Sequence, residues 1–466
     1  MTAYRMLIDG QLVEGASTIP VIDPSTGEPF AEAYVADGPQ LDAAVQAALS
    51  AFPDWAATSW SERRKCLVEF ARRLDDEADA FASLLVREQG KPWSEARYEV
   101  DATVRGIRFY ADVELKVEVR DHPAGPYEVE RRPLGVVAAI TPWNFPMILA
   151  SNKYAPALIT GNTVVLKPAP STPLTTLELG RLAADVFPRG VFNIVADAND
   201  LGARLTGHPD VAKVSFTGST NTGKAVMRSA ADDMKRVTLE LGGNDPAIVL
   251  ADADVEASAR GLAATVFLNA GQVCAAPKRL YVAAEVYDDF RDRFVAATRE
   301  IRMGAGHEDG VTLGPVQNQM QFDKVRGMIE EAAASGTVLI GGRVANRPGY
   351  FIEPTVIADL EDDSPLVTDE QFGPVVPLLR FTDEADAVAR ANLGAYGLGA
   401  SIWSRDLDRA RRLARGITAG SVWINQHIAI HPEIPFGGVK QSGLGSEGGL
   451  EGVNEYTRLQ VINPAA

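Results

Sequence analysis

The sequence predicts an α/β protein, with a doubly wound parallel sheet in one domain and a second α/β domain after it. Two patterns support this fold class. Apolar runs rich in β-forming residues alternate with helix-like segments through the middle of the chain, and a second alternating series follows. Because these runs are strongly apolar, both faces of each sheet should be covered by helices.

The chain begins with β-rich and then helical segments. Residues 1 to about 35 are expected to form a short β-rich start, with turn signals over residues 23–27. Residues 39 to about 117 are expected to be helical. Apolar residues at helical spacing there place Cys66 on a buried helix face, so it is interpreted as a small core residue.

The strands of the two alternating series are short. The first series has runs at 135–141, 162–168, 192–197, 211–218 and 236–243. The second series, within residues 244 to 441, has runs at 246–250, 278–283, 337–342, 374–381, 399–404 and 421–425. Residues 124–133 are an extended excursion. Residues 455–463 are strand-like and follow a glycine-rich loop, so they are expected to pair away from the main body.

Composition excludes several classes of protein. The chain has 466 residues, 46% of them hydrophobic and 23% charged, which is ordinary for a globular protein. At about 150 residues per domain, this length suggests about three domain-sized units. A net charge of −17 without a basic run argues against nucleic-acid binding.

The cysteine count and the apolar pattern indicate the compartment. Two cysteines, Cys66 and Cys274, do not make a disulfide framework. The N-terminus lacks the apolar core of a signal peptide, and no apolar run reaches the roughly 18 residues that span a bilayer. A soluble cytoplasmic protein without membrane partners is expected.

Two glycine motifs suggest nucleotide binding, but neither is a nucleotide fingerprint. Residues 443–448 match G-x-G-x-x-G, yet they follow the second alternating series rather than a first strand. Residues 218–224 resemble a phosphate-binding loop, but Ala225 lacks the hydroxyl that would bind magnesium, which disfavours an NTPase. Because residues 218–224 join a strand to a helix, a phosphate-bearing cofactor is still expected there.

Seven segments together point to one family. They are PWNFP (142–146), KPAP (167–170), FTGST (216–220), ELGG (240–243), GQVC (271–274), EQFGP (370–374) and PFGGVKQSGLG (435–445). In this order, and over nearly the whole chain, the sequence resembles the aldehyde dehydrogenase superfamily. The resemblance implies a Rossmann-type cofactor domain, a catalytic domain and a small β oligomerisation arm. The expected boundaries are 1–117 and 136–243 for the cofactor domain, 244–441 for the catalytic domain, and 118–135 and 442–466 for the oligomerisation or bridging segments.

The resemblance implies a catalytic role for four residues, each with an ordinary alternative. Cys274 is the expected nucleophile, although a lone cysteine is more often a core residue. Glu240 is the expected general base, or else an exposed acid at a strand end. The Asn144 amide and the backbone N–H of Cys274 resemble an oxyanion hole, whereas an ordinary turn would also favour asparagine. Lys153 is expected to support proton relay, or to be an ordinary surface lysine.

These roles imply a two-stage oxidation of an aldehyde to a carboxylic acid. The Cys274 thiolate adds to the aldehyde, hydride passes to a nicotinamide, and the resulting thioester is hydrolysed by water that Glu240 deprotonates. A CoA-acylating enzyme is disfavoured, because a hydrolytic base would waste the thioester. A catalytically silent protein of the same fold is disfavoured because Cys274, Glu240 and Asn144 are all present.

The resemblance implies NAD or NADP as cofactor. Lys167 is expected at the adenosine ribose and Glu370 at the nicotinamide ribose, with Phe372 packing nearby. The other expected cofactor residues are Trp143, Gly218, Ser219 and Leu241. The sequence departs from the family pattern at two places. Pro170 replaces a common glutamate that would repel a 2′-phosphate. The segment 195–202 (VADANDLG) lacks a glycine that is usual after the strand at 192–197. NADP therefore stays open, and the absence of an added arginine favours NAD slightly.

The aldehyde itself is not determined by the sequence. The expected substrate tunnel lies between the helix after PWNFP and the loop before PFGG, with Asn152, His427 and Ile430 as candidate lining residues. His427 and His431 either contact a polar aldehyde or face solvent. Residues 124–133 and 455–463 resemble the arms that join subunits in this family, so a homodimer or homotetramer is expected. No metal is expected.

Overall fold

Four β-sheets and fifteen helices make up the structure, a computed structural model that describes residues 3–464. In chain order the strands are β1 (Ala3–Tyr4), β2 (Met6–Ile8), β3 (Gln11–Val13), β4 (Ser17–Asp23), β5 (Glu28–Val35), β6 (Glu118–Arg120), β7 (Tyr127–Pro133), β8 (Val136–Ile140), β9 (Thr163–Lys167), β10 (Phe192–Ile194), β11 (Val211–Thr217), β12 (Arg236–Glu240), β13 (Asp245–Val249), β14 (Pro277–Ala283), β15 (Thr337–Ile340), β16 (Thr355–Ala358), β17 (Val375–Phe381), β18 (Gly399–Trp403), β19 (Ser421–Ile424), β20 (Gly443–Leu444) and β21 (Thr457–Ile462).

The α-helices cover the sheets and build a helical block near the N-terminus. They are α1 (Gly38–Ala57), α2 (Trp60–Asp76), α3 (Ala78–Gln89), α4 (Trp93–Ala111), α5 (Pro146–Ile159), α6 (Leu174–Ala184), α7 (Gly202–Thr206), α8 (Thr220–Ala231), α9 (Val255–Val266), α10 (Tyr287–Arg299), α11 (Gln319–Ser335), α12 (Pro365–Thr368), α13 (Glu384–Ala391), α14 (Leu407–Ala414) and α15 (Gly449–Asn454). Short 3₁₀ turns span Leu268–Gly271 and Lys440–Ser442.

The predicted β-rich start and helical block are both present. The chain turns between β4 and β5 where the backbone N–H of Gly27 donates to the carbonyl of Asp23, at 2.8 Å. Helix α1 starts at a capping box, in which Asp37 and Gln40 satisfy each other's backbone N–H groups. The helical block and the sheet that contains β8 to β12 enclose one apolar cluster, the first core. Cys66 on α2 packs against this first core as expected, but it is only half-buried.

The first large sheet has the predicted doubly wound order. Its strands run β20-β12-β11-β8-β9-β10-β2-β3, and the five predicted strands, β8 to β12, are parallel neighbours. The chain moves outward from β8 to β10 and then returns to the other side with β11 and β12. The winding therefore reverses between β8 and β11, which is where doubly wound sheets bind nucleotides, at the carboxyl ends of their strands.

The second large sheet follows directly. Its order is β15-β16-β17-β14-β13-β18-β19, parallel except for β15, which is antiparallel to β16. All six predicted strands are present. The sequence pattern missed β16, because its run of four residues is shorter than a convincing strand signal. Two apolar clusters lie against the sheet.

A small antiparallel sheet of order β21-β7-β6 stands apart from both. It pairs the two segments that the sequence singled out as extended, so the prediction that residues 455–463 pair away from the main body is confirmed. Residues 443–456, just before β21, belong to the main body instead. Strand β20 joins the edge of the first sheet beside β12, and Val453 and Tyr456 lie in the first core.

Within residues 3–464, every helix is too short or too polar to cross a lipid bilayer. Over the same residues, no group of His, Cys, Asp or Glu side chains is arranged to hold a metal ion.

Candidate active site

The carboxyl ends of the central strands of the first sheet meet the loop that carries Cys274. Glu240, the last residue of β12, pairs with Thr217, the last residue of β11. The segment after Glu240 leads straight into β13 of the second sheet. Gly243 lies so close to this loop that a Cβ there would overlap the carbonyl oxygen of Cys274. A glycine at this position therefore lets the two sheets share one site.

The loop before Cys274 has an unusual backbone. Asn269 and Ala270 both adopt left-handed conformations, with φ values of 51° and 55°. Such conformations are costly for residues with a side chain, and they concentrate at functional sites. Burial raises the pKa of the Cys274 thiol well above its ordinary value, and the neighbouring charge of Glu240 raises this pKa further. The thiol is therefore protonated at neutral pH until a base takes its proton.

The carboxyl group of Glu240 is buried. Glu240 is only 3% exposed, so the alternative that it is an exposed acid at a strand end is wrong. Neither carboxyl oxygen has a hydrogen-bond partner of normal geometry within the described residues, but the Cys274 thiol is close enough to lower the pKa of Glu240 by weak hydrogen bonding. Burial, and then the charge of Glu447, raises the pKa of Glu240 to about 8. A carboxyl group with this pKa is a stronger base than an ordinary one.

Asn144 lies in the loop between β8 and α5, with its side chain directed at the Cys274 loop. The residue is 2% exposed, and its Nδ2 donates to the carbonyl oxygen of Gln272 at 2.9 Å. Its own carbonyl oxygen accepts from Lys91 Nζ at 2.9 Å and from Asn269 Nδ2 at 3.0 Å. Asn144 is thus held on both sides, which an ordinary exposed turn asparagine would not be.

Lys153 is fully buried, so the surface-lysine alternative is wrong. Its Nζ donates to Thr217 Oγ1 at 2.7 Å and forms an ion pair with Glu447. Sequence reasoning missed Glu447, whose only signal was an acid two residues after the end of the PFGGVKQSGLG segment. Because Glu447 raises the pKa of Glu240 and Lys153 lowers it, the three groups are electrostatically coupled.

A second buried ion pair, also missed from the sequence, supports the Asn144 loop. Lys91 and Glu99 have fully buried side chains, and Lys91 Nζ lies 2.5 Å from Glu99 Oε2. Glu99 Oε1 also accepts the backbone N–H of Met147 at 3.0 Å, in the first turn of α5. Lys91 Nζ lies 3.8 Å from the ring centre of Phe145. The pair therefore joins the helical block to the loop that carries Asn144.

The expected adenosine side of the cofactor site lies along the same edge. Lys167 ends β9, and its Nζ contacts Asp197 Oδ1 at 2.5 Å. Ser219 caps the N-terminus of α8, where its hydroxyl accepts the N–H of Thr222 at 3.2 Å. Gly218 precedes it at a point where a Cβ would lie 2.6 Å from the Phe216 ring. A capped helix N-terminus after β11, at the switch point, and a lysine at the end of β9 on the same edge of the sheet fit the pyrophosphate and ribose of a dinucleotide.

The expected nicotinamide side lies nearer Cys274. Glu370 is partly buried, its Oε1 accepts the N–H of Gly243 at 2.9 Å, and burial raises its pKa. It is therefore not the fully solvated loop acid of the alternative. Trp143 and Phe372 meet edge to face, with ring centres 5.3 Å apart. Leu241 packs beneath α8, where a Cβ on Gly223 would lie 2.5 Å from its side chain.

The expected tunnel residues have different surroundings. Asn152 on α5 is partly exposed, and Ile430 packs in a small apolar cluster with Cys274. His427 is buried, with its ring nitrogens 2.8 Å from Ser401 Oγ and 3.0 Å from the carbonyl oxygen of Ala275. Both alternatives for His427 are therefore wrong, because its ring neither faces solvent nor has a nitrogen free for substrate. His431 is exposed.

Known proteins are similar to this chain in sequence and fold over nearly their whole length. The model of the aldehyde dehydrogenase family matches residues 12–462. The NADP(+) succinate-semialdehyde dehydrogenase GabD of Escherichia coli (strain K12) is 38% identical over 467 residues, covering 98% of this chain and 97% of that protein. The phenylacetaldehyde dehydrogenase of Pseudomonas fluorescens is 39% identical, covering 98% and 95%.

A solved structure agrees with these sequence matches. The NAD+ complex of aldehyde dehydrogenase from Bacillus cereus superposes with a TM-score of 0.96 at 36% identity, covering 99% of this chain and 96% of that chain. The chain therefore belongs to the aldehyde dehydrogenase family, as an NAD(P)-dependent oxidoreductase that acts on aldehydes.

Proposed function

We propose that this enzyme oxidises an aldehyde to a carboxylic acid through a thioester on Cys274, which is hydrolysed with Glu240 as general base. The observation that carries this proposal is the buried carboxyl group of Glu240, which within residues 3–464 has no partner of normal hydrogen-bond geometry and interacts with the Cys274 thiol. A buried carboxylate without a partner is costly, so its retention beside a nucleophile indicates chemistry rather than structure.

The first step needs a base, because the Cys274 thiol has a raised pKa. Glu240 takes the thiol proton, and the sulfur forms a bond to the carbonyl carbon of the aldehyde. The electron pair of the carbonyl bond moves to the oxygen. The Asn144 amide and the backbone N–H of Cys274 stabilise this oxyanion, with each donor contributing roughly 3 kcal/mol.

NAD(P), when bound, supplies the hydride acceptor that turns the thiohemiacetal into a thioester. Lys167 and Ser219 would hold its adenosine side, and Glu370 its nicotinamide ribose. Trp143 and Phe372 would pack alongside. The chain's own part in this step is to hold the substrate carbon on Cys274 in a fixed orientation.

The second stage releases the acid. Glu240 first releases the thiol proton to solvent and so returns to its base form. It then deprotonates a water, and the water oxygen bonds to the thioester carbon. The carbon–sulfur bond breaks, and the Cys274 thiolate takes the proton back from Glu240. A CoA-acylating outcome is disfavoured, because Glu240 in its base form activates water at the same place. Lys153 and Glu447 tune the base through their charges.

We propose that the substrate is an uncharged aldehyde with an apolar body. Ala429, Ile430 and Phe436 pack against the same small apolar cluster as Cys274, so this side of the nucleophile offers apolar contact area to a substrate. One relative is named for phenylacetaldehyde and another for succinate semialdehyde. We expect kcat/KM for phenylacetaldehyde to exceed that for succinate semialdehyde by at least about tenfold. The reverse preference would contradict an apolar site.

We also propose that the small β21-β7-β6 sheet joins two copies of this chain. Val119, Leu459 and Val461 on this sheet are 69%, 57% and 57% exposed. Exposed apolar side chains on a sheet edge and face are a liability unless another chain covers them.

The direct test of the proposed function follows absorbance at 340 nm with aldehyde and either NAD or NADP. The unaltered protein should reduce cofactor without added CoA. Cys274→Ala should lose this activity while still binding cofactor. Cys66→Ala, which changes the other cysteine of the chain, should keep full activity. Turnover by Cys274→Ala would overturn the proposal.

A further inference from the structure

A buried ion pair lies at the edge of the expected adenosine site. Lys167 ends β9, and Asp197 follows the end of β10, the parallel neighbour of β9. Both side chains therefore lie at the carboxyl edge of the sheet. Lys167 Nζ and Asp197 Oδ1 are 2.5 Å apart, and the two side chains are 7% and 0% exposed.

The Asp197 carboxylate is fixed at both oxygens. Its Oδ2 accepts the backbone N–H of Leu201, just before α7, at 2.9 Å. The next neighbour of Lys167 Nζ is the carbonyl oxygen of Pro168, at 3.5 Å. The positive charge of Lys167 is therefore already matched by one carboxylate, and the pair adds no net positive charge to this edge.

This arrangement changes what Pro170 implies. The proline leaves out a glutamate that would repel a 2′-phosphate, and a free Lys167 would attract that phosphate. Asp197 supplies a carboxylate from the loop after the neighbouring strand β10 instead. A carboxylate near the adenosine ribose selects against the 2′-phosphate of NADP, whereas NADP sites place an unpaired cation there.

We propose that Asp197 is a specificity-determining residue that makes this enzyme prefer NAD to NADP. The inference rests on the proposed function, in which Lys167 meets the adenosine ribose. The 2′-hydroxyl of NAD carries no charge and tolerates the neutral Lys167–Asp197 pair. The 2′-phosphate of NADP would face the Asp197 carboxylate without a free cation to offset it.

The test measures cofactor binding rather than turnover. Isothermal titration calorimetry of the full chain without aldehyde gives Kd for NAD and for NADP. The unaltered protein should bind NAD more tightly. In Asp197→Asn, which keeps an oxygen for the Leu201 N–H, the ratio of Kd for NADP to Kd for NAD should fall about tenfold. The control is Asp200→Asn, an exposed acid of the same loop, which should change the ratio less than about twofold.

A second variant guards against a folding defect in Asp197→Asn. Asp197→Gly also removes the carboxylate and should give the same shift. An unchanged ratio in these variants, an equal shift in Asp200→Asn, or tighter binding of NADP by the unaltered protein would overturn the assignment. If the unaltered protein binds neither dinucleotide, the proposed function fails as well. Binding with an unchanged ratio overturns only the role of Asp197.

Discussion

Glu240 and Glu99 are both buried carboxyl groups, but they lie in opposite surroundings. Glu99 is paired with Lys91 and accepts a backbone N–H from α5. Among the residues that the structure describes, Glu240 has no partner of normal hydrogen-bond geometry, and its neighbour is the Cys274 thiol. A fully satisfied buried charge fixes the groups around it, whereas an unsatisfied one stays available to take a proton. Glu99 thus holds the Asn144 loop, whereas Glu240 is free for the role of base that we propose for it.

Among changes to the two acids and their partners, removing the carboxyl group of Glu240 should change the reaction rate most. Glu240→Gln should lower kcat by about 10²- to 10⁴-fold, because an amide of the same shape cannot accept the proton. The unfolding midpoint should not fall, since the neutral amide removes the cost of burying a carboxylate. Steady-state kinetics and urea unfolding measure the two quantities. Unfolding at a much lower urea concentration would contradict the division between the two acids.

Breaking the paired acid should show the opposite pattern. Lys91→Met leaves Glu99 buried without its cation, so the free energy of unfolding should fall by about 3 kcal/mol. The matched control is Lys65→Met on α2, which breaks an exposed pair with Glu62 and should cost less than about 1 kcal/mol. Equal losses in the two variants, measured by urea unfolding, would show that burial of the Lys91–Glu99 pair is unimportant.

The pH dependence of kcat should report the raised pKa of Glu240. Because the pKa lies at about 8, the protonated form dominates below that pH and the base form is lost as pH falls. We therefore expect kcat to fall by about fiftyfold between pH 8 and pH 6. The Kd for cofactor, measured in parallel, should change far less. A flat kcat profile from pH 6 to pH 9 would exclude Glu240 as the base.

The smallest effect on chemistry is expected far from both acids. Val461→Asp on β21 should lower the mass of the particle in multi-angle light scattering, while kcat changes less than about twofold. Met234→Asp, a change at an apolar residue that is 90% exposed outside this sheet, is the control and should leave the mass unchanged. A constant mass in Val461→Asp would contradict an interface at the small sheet.

The sequence predicted the fold and the centre of the site better than it predicted their supports. Alternating apolar runs located most strands of the two large sheets. The ordered motifs singled out Cys274, Glu240 and Asn144, which the fold places together at the carboxyl edge of the first large sheet. The fold brings Lys153 and Glu447 together across 294 residues of sequence, and Lys91 to Asn144 across 53. No local pattern encodes such pairings. Whether a charged residue is buried and paired depends on tertiary packing, so these supports could not be read from the chain.

In the proposed mechanism, Glu240 is the base for hydrolysis of a thioester on Cys274. The most direct measurement is intact-protein mass spectrometry of Glu240→Gln after mixing with aldehyde and NAD. A covalent acyl adduct on Cys274, absent from Cys274→Ala and persisting for many turnover times of the unaltered enzyme, is the predicted result. Rapid turnover of Glu240→Gln with no accumulated adduct would contradict this mechanism.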